Sequence, residues 1–174
     1  MKHLVILLAG LFAMALLSAQ ERKMDLSGFL LRDANGKQHE MSVLLKSHKL
    51  SLLVFWKLDD GKSCTLLNEL YEAATETLQG IDFQLITIAE TSASMAQLEQ
   101  NYVLANAPEA FCLSDVNGDL RRHLAITELP YTLLFDSNSR LICSQRGYCV
   151  DASDQLCDKV RSCLIKMDQA IIKP

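Results

Sequence analysis

The chain has 174 residues, with 17 basic and 21 acidic side chains and a formal net charge of −4. That length suits one domain with a full core. The acidic balance, without any basic run or stripe, argues against nucleic acid and anionic membrane surfaces as partners.

The N-terminus reads as a targeting segment. Met1-Lys2-His3 is a short basic start, residues 4–17 are an almost unbroken apolar run, and Leu17-Ser18-Ala19 ends it with small residues. This is the pattern of a secretory signal peptide, with cleavage expected after Ala19. An uncleaved anchor is the alternative, but the run is short for a membrane-spanning helix. No cysteine stands directly after the run to carry a lipoprotein anchor. The expectation is a mature chain of residues 20–174, exported to a periplasm or secreted, with 16 basic and 21 acidic residues once Lys2 is removed.

Residues 29–32 predict a short strand and residues 38–40 its return. Between them stands Asp33-Ala34-Asn35-Gly36-Lys37, where Asn-Gly supplies the positive φ angles of a tight hairpin. Residues 41–47 suit one or two helical turns. Residues 50–56 are an apolar run of strand length, expected of a strand covered on both faces. Residues 63–78 have helical periodicity, with Leu66, Leu67, Leu70, Ala73, Ala74 and Leu78 on one broad face and Gly80 as a stop signal.

Residues 83–89 predict a second central strand, and residues 92–105 a helix capped by Ser92 or Ser94. A short strand over 110–113 and a short helix over 119–125 follow. Residues 131–135 and 140–144 predict a hairpin across Asp136-Ser137-Asn138-Ser139, and Asp151 or Ser153 caps a last helix reaching about residue 168. Strands alternating with helices predict an α/β fold: a mixed central sheet, helices on both faces and an N-terminal β-hairpin.

Several of these segments, in this order and spacing, resemble the TlpA-like (redoxin) branch of the thioredoxin superfamily. Residues 28–37 resemble its entry hairpin, Leu53-Val54-Phe55-Trp56 the strand leading to its active site, and Leu85-Ile86-Thr87-Ile88 its next central strand. Leu129-Pro130-Tyr131-Thr132-Leu133-Leu134-Phe135-Asp136 resembles its cis-proline segment and following strand. The resemblance covers nearly all of the mature chain. It implies a single thioredoxin-like domain over 20–174, monomeric, with no cofactor and no metal.

The family's chemistry uses two thiols. The first is exposed at a helix N-terminus, where the dipole and free N–H groups stabilise its thiolate. The second lies one turn further in and resolves the mixed disulfide. Aligned without gaps from Phe55-Trp56, those places hold Asp60 and Ser63. With the loop one residue longer they hold Gly61 and Cys64. In both frames the attacking cysteine is missing. Asp60 reads as a helix cap that keeps the negative charge without the thiol chemistry. Cys64 has two readings: a one-thiol nucleophile with a lowered pKa in the first helical turn, or an inert core thiol. A peroxiredoxin-type role is weaker, because that motif needs Pro and Thr where this chain has Lys57 and Gly61. The resemblance also implies that Pro130 is cis and that the backbone of Leu129 pairs with an extended substrate chain.

All six cysteines follow the apolar run, and disulfides are expected of an exported protein. Cys157 and Cys163 cannot pair within one helix, since six residues rise about 9 Å. A helix returning along the preceding strand favours nested pairs, Cys149 with Cys157 and Cys143 with Cys163. Cys64 and Cys112 remain; both are expected at the active-site edge, where a disulfide between them would be a non-local redox pair. The cysteine spacings do not resemble a zinc site. His39, His48 and His123 are isolated and read as solvated or structural.

Three functions follow. The first is an exported protein related to thiol–disulfide oxidoreductases, with any redox role resting on Cys64, alone or with Cys112, and with protein thiols as partners. The second is a non-catalytic binding module whose groove near Asp60, Ser63, Leu129 and Pro130 holds an extended peptide segment of a partner. A thiol peroxidase is a third option.

Overall fold

A computed structural model describes residues 22–90 and 110–172. The predicted signal peptide and the predicted helix over 92–105 lie outside the described residues. The elements are β1 (Arg22–Lys23), β2 (Leu30–Arg32), β3 (Gln38–Glu40), α1 (Met41–Leu45), β4 (Leu50–Trp56), α2 (Gly61–Glu76), β5 (Phe83–Ala89), β6 (Ala110–Ser114), α3 (Asp119–His123), β7 (Tyr131–Asp136), β8 (Arg140–Arg146) and α4 (Ala152–Ile172). The strands form one eight-stranded sheet in the order β1-β8-β7-β4-β5-β6-β2-β3. β4, β5 and β6 are parallel, and β7 runs antiparallel to β4.

β4 is the centre of the fold, and all seven of its residues are buried. Because side chains alternate across a strand, its even-numbered residues face one way and its odd-numbered residues the other. Leu50, Leu52, Val54 and Trp56 pack with Leu66, Leu67 and Leu70 of α2 and Leu156, Val160 and Leu164 of α4. Leu53 and Phe55 pack with Met41, Leu44 and Leu45 of α1 and Leu120 of α3. Both faces of the sheet are thus covered by helices. Each buried aliphatic side chain contributes about 1.5–3 kcal/mol, and cutting Leu53 to alanine would cost about 2–5 kcal/mol. The one polar residue of the strand, Ser51, is buried with its hydroxyl accepting from Gln84 Nε2 at 2.7 Å.

The two hairpins are built by one device. Asp33 Oδ1 accepts from the N–H groups of Asn35 and Lys37, at 3.0 and 2.9 Å. Asp136 Oδ1 accepts from those of Asn138 and Arg140, at 2.8 and 2.9 Å. In each turn the residue three places after the aspartate has positive φ: Gly36 at 78° and Ser139 at 61°. The expected Asn-Gly pair with two positive φ angles is therefore corrected, since Gly36 alone of the two is left-handed. The aspartate fixes both turns by accepting two backbone N–H groups.

Other differences lie at element ends. The two-residue β1, paired with β8, carries no sequence signal of its own. α2 stops before Leu78, because Ala73 O accepts from both Thr77 and Leu78 N–H and closes the last turn. Leu78 is still buried in the predicted apolar face. α4 extends beyond residue 168 to Ile172.

Candidate functional site

The C-terminal ends of β4, β5 and β6 meet at one edge, where Trp56 stands opposite Ala89 and Ala89 opposite Ser114. In open α/β sheets this is the edge where ligands bind. α2 starts beside it. Asp60 is the N-cap of α2, with extended backbone at φ −108° and ψ 109°. Its Oδ2 accepts from Ser63 N–H at 3.0 Å and from the Ser63 hydroxyl at 2.7 Å. Ser63 is fully buried, and its Oγ also accepts from Lys57 N–H at 3.3 Å. These bonds, led by the Ser63 hydroxyl, hold the Asp60 carboxyl below its usual range. The helix end that would stabilise a thiolate is occupied by a carboxylate, and both predicted residues here are bound to each other.

Cys64 follows within the first turn, half-buried, with its thiol donating to Leu58 O at 3.3 Å. Burial pushes its pKa up, and the carboxylates of Asp60 and Asp59 push it further. Of the two readings of Cys64, this direction fits the inert thiol and not the low-pKa nucleophile. The dipole that would favour a thiolate is offset here by two negative neighbours.

Cys112 does not join Cys64. It lies inside β6, opposite Thr87, two residues short of the strand end. Its Sγ is 3.5 Å from Tyr71 Oη. Tyr71 is seven residues along α2 from Cys64, roughly 10 Å along the helix axis. Burial and Cys112 push the Tyr71 phenol up. The expectation that both cysteines stand at the edge is thus corrected for Cys112.

None of the six cysteines is in a disulfide. Cys149 is exposed, with Sγ accepting from Gln145 Nε2 at 3.4 Å, whereas Cys157 is a core residue at 4% exposure. The expected Cys149–Cys157 pair is therefore not formed. The solvent-facing loop before α4 and the buried face of the helix give the two thiols different surroundings. Cys143 and Cys163 both pack against the α2–α4 cluster.

The Leu129–Pro130 peptide is cis, and Pro130 is buried at the start of β7. Beside it lies a cavity of about 400 Å³ lined by Trp56, Ala89, Glu90, Asp115, Arg121 and Leu129, among others. Of the predicted site residues only Leu129 lines it. The turn from Asp115 to Gly118, closed by Gly118 N–H to Asp115 O at 2.9 Å, leads into α3 and places Arg121. Arg121 pairs with Glu90 and donates from Nε to Ile126 O at 3.2 Å. Its backbone N–H donates to the buried Asp115 carboxylate at 2.8 Å. Sequence reading missed Glu90, Asp115 and Arg121. Their signal was positional only: an acid just past each of two central strands and a base on the short helix after them.

Lys57 links cap and cavity. Its Nζ is 3.1 Å from Asp59 Oδ1, and Asp59, Glu90 and Asp60 together hold its ammonium in the charged form. Two described histidines have local partners. His39 Nε2 is 2.8 Å from Asp33 Oδ2, and the His123 ring lies tilted against Phe29 with ring centroids 4.7 Å apart. Among the described residues no cluster of His, Cys, Asp or Glu is arranged to hold a metal ion. No described helix is long and apolar enough to cross a membrane.

No protein-family model and no curated protein matches the chain. Solved structures do. A thioredoxin-like protein of Porphyromonas gingivalis is similar at 20% identity and a TM-score of 0.65, over 79% of this chain and 90% of that one. The pneumococcal exposed lipoprotein thioredoxin of Streptococcus pneumoniae is similar at 18% identity and a TM-score of 0.62, over 77% and 98%. A secreted Mycobacterium tuberculosis disulfide oxidoreductase homologous to E. coli DsbE is similar at 14% identity and a TM-score of 0.62, over 77% and 95%. At such identities likeness speaks for architecture. Sheet order, two helical layers, cis-proline segment and these neighbours together give the conclusion that the chain has the thioredoxin-like fold.

Proposed function

We propose that the protein is an exported thioredoxin-like module, related to thiol–disulfide oxidoreductases, whose α2 cap no longer performs dithiol exchange. Its cavity edge instead holds an extended peptide segment of a partner protein, and the chain itself is a monomer. The observation that carries this reading is the Asp60 cap, whose carboxylate takes the Ser63 N–H and hydroxyl for itself. Any redox role left at this end rests on Cys64, and the negative charge beside that thiol opposes it.

Three further points support the reading. The N-terminal apolar run has the form of a secretory signal. Structural neighbours include an exposed lipoprotein thioredoxin and a secreted disulfide oxidoreductase. The cavity beside Leu129 is a concave site where apolar walls such as Trp56 and Ile126 meet the polar side chains of Glu90, Asp115, Arg121 and Arg122.

Insulin-disulfide reduction tests the first part. The expected rate with the native protein equals that of reductant alone, and a clear acceleration would contradict it. NMR titration with an unfolded, alkylated protein tests the second part. Amide shifts are expected to cluster at Glu90, Arg121 and Leu129; shifts elsewhere, or none, would sink the peptide-binding reading.

A further inference from the structure

Cys143 stands opposite Leu134 across the β7–β8 pair. Directly opposed residues share a sheet face. Leu134 belongs to the cluster beneath α2 and α4, and Cys143 and Cys163 both pack against that same cluster. The two thiols therefore lie between the same two layers.

Their heights also agree. Lys49 Nζ lies 2.8 Å from Asp168 Oδ1, which sets the late turns of α4 beside the start of β4. Leu52, Leu134 and Cys143 form one row across the sheet. Leu52 is three residues past Lys49, about 10 Å along the strand. Cys163 is five residues before Asp168, about 7.5 Å along the helix. β8 runs parallel to β4 and α4 runs back against both, so these two steps lead the same way and reach similar heights along the sheet. The groups that act on the Cys143 thiol also place it near α4. Burial raises the Cys143 thiol, Lys159 lowers it and Cys163 raises it again. Lys159 and Cys163 are one helical turn apart, on one face of α4.

We propose that Cys143 and Cys163 are a dithiol site, remote from the α2 cap, that takes a small disulfide such as oxidised glutathione as its oxidant. One cysteine thiolate attacks the disulfide, forms a mixed disulfide and expels one thiolate. The second cysteine then attacks the protein-side sulfur, forms the Cys143–Cys163 bond and expels the other. The two cysteines are oxidised, the small disulfide is reduced to two thiols, and the two cysteine protons end on those thiols. The product joins β8 to α4 across the core face that α4 covers. This site is independent of the cap reading.

The test incubates the purified native protein with oxidised glutathione, alkylates the remaining thiols and maps tryptic peptides by mass spectrometry. Cleavage after basic residues separates Cys143, in residues 141–146, from Cys163, in residues 162–166. The expected product is those two peptides joined by a disulfide, with the other four cysteines alkylated. With Cys163→Ser the join is lost and Cys143 keeps its glutathione. Any wild-type map in which the two peptides are not joined, whether alkylated, glutathionylated or paired elsewhere, overturns the proposal; it needs no variant to fold.

Discussion

The start of α2 and the β8–α4 face hold separately what a dithiol enzyme of this architecture combines. At the start of α2 a helix end points its free N–H groups at the sheet edge, but the anion there is the Asp60 carboxylate. On the β8–α4 face two thiols share one cluster, but away from the start of α2. A helix terminus stabilises whatever anion is put there, so fold alone does not preserve an activity. A single first-turn cysteine does not restore it either, because Asp59 and Asp60 oppose the Cys64 thiolate.

The largest expected effect comes from breaking that separation. The double substitution Asp60→Cys with Ser63→Cys returns two thiols to the cap in register. Lowering a thiol pKa from about 8.5 to about 7 raises its thiolate fraction at pH 7 by roughly tenfold or more. Insulin reduction by this variant should rise above the background rate seen with the native protein. An unchanged rate would mean that the cap geometry, and not just the residue types, has been lost.

Next in size is the cavity side. Arg121→Met removes the partner of Glu90 and the donor to Ile126 O. The pair is partly exposed, so the expected loss is about 1–2 kcal/mol, read from urea unfolding. The same variant should weaken peptide-induced shifts around Leu129 while leaving Cys64 alkylation unchanged.

Asp60→Ala removes the cap. The expected cost is about 1 kcal/mol, measured as a fall in Tm. Because the folded carboxyl sits below its unfolded value, the cap stabilises fully above about pH 4 and less as pH falls through the folded value. The difference between native and variant stability should therefore shrink in acid. Losing one negative neighbour should also speed Cys64 alkylation. Smallest of all is Cys64→Ser, whose hydroxyl can still donate to Leu58 O; a stability change within about 0.5 kcal/mol is expected.

The central strands were legible because burial on both faces writes an unbroken apolar run: residues 50–56 and 83–89 agree with β4 and β5 to the residue. The Asp60 cap was legible for a local reason, a capping residue just before an amphipathic run. Pro130 was legible as cis only through the family resemblance. What was hidden is tertiary. Glu90 and Arg121 are 31 positions apart and meet only because β5 and α3 converge. Cys112 looked like a partner for Cys64 until the register of β6 placed it beside Tyr71. The pKa of Cys64 depends on where the Asp59 and Asp60 carboxylates point, which spacing alone does not give.

The most direct test of a redox-silent cap is the pH dependence of Cys64 alkylation in the native protein, followed by mass spectrometry on its peptide. A rate midpoint above the free-cysteine value of about 8.5 is predicted. A midpoint at or below that value would show a stabilised thiolate at the start of α2 and contradict the account.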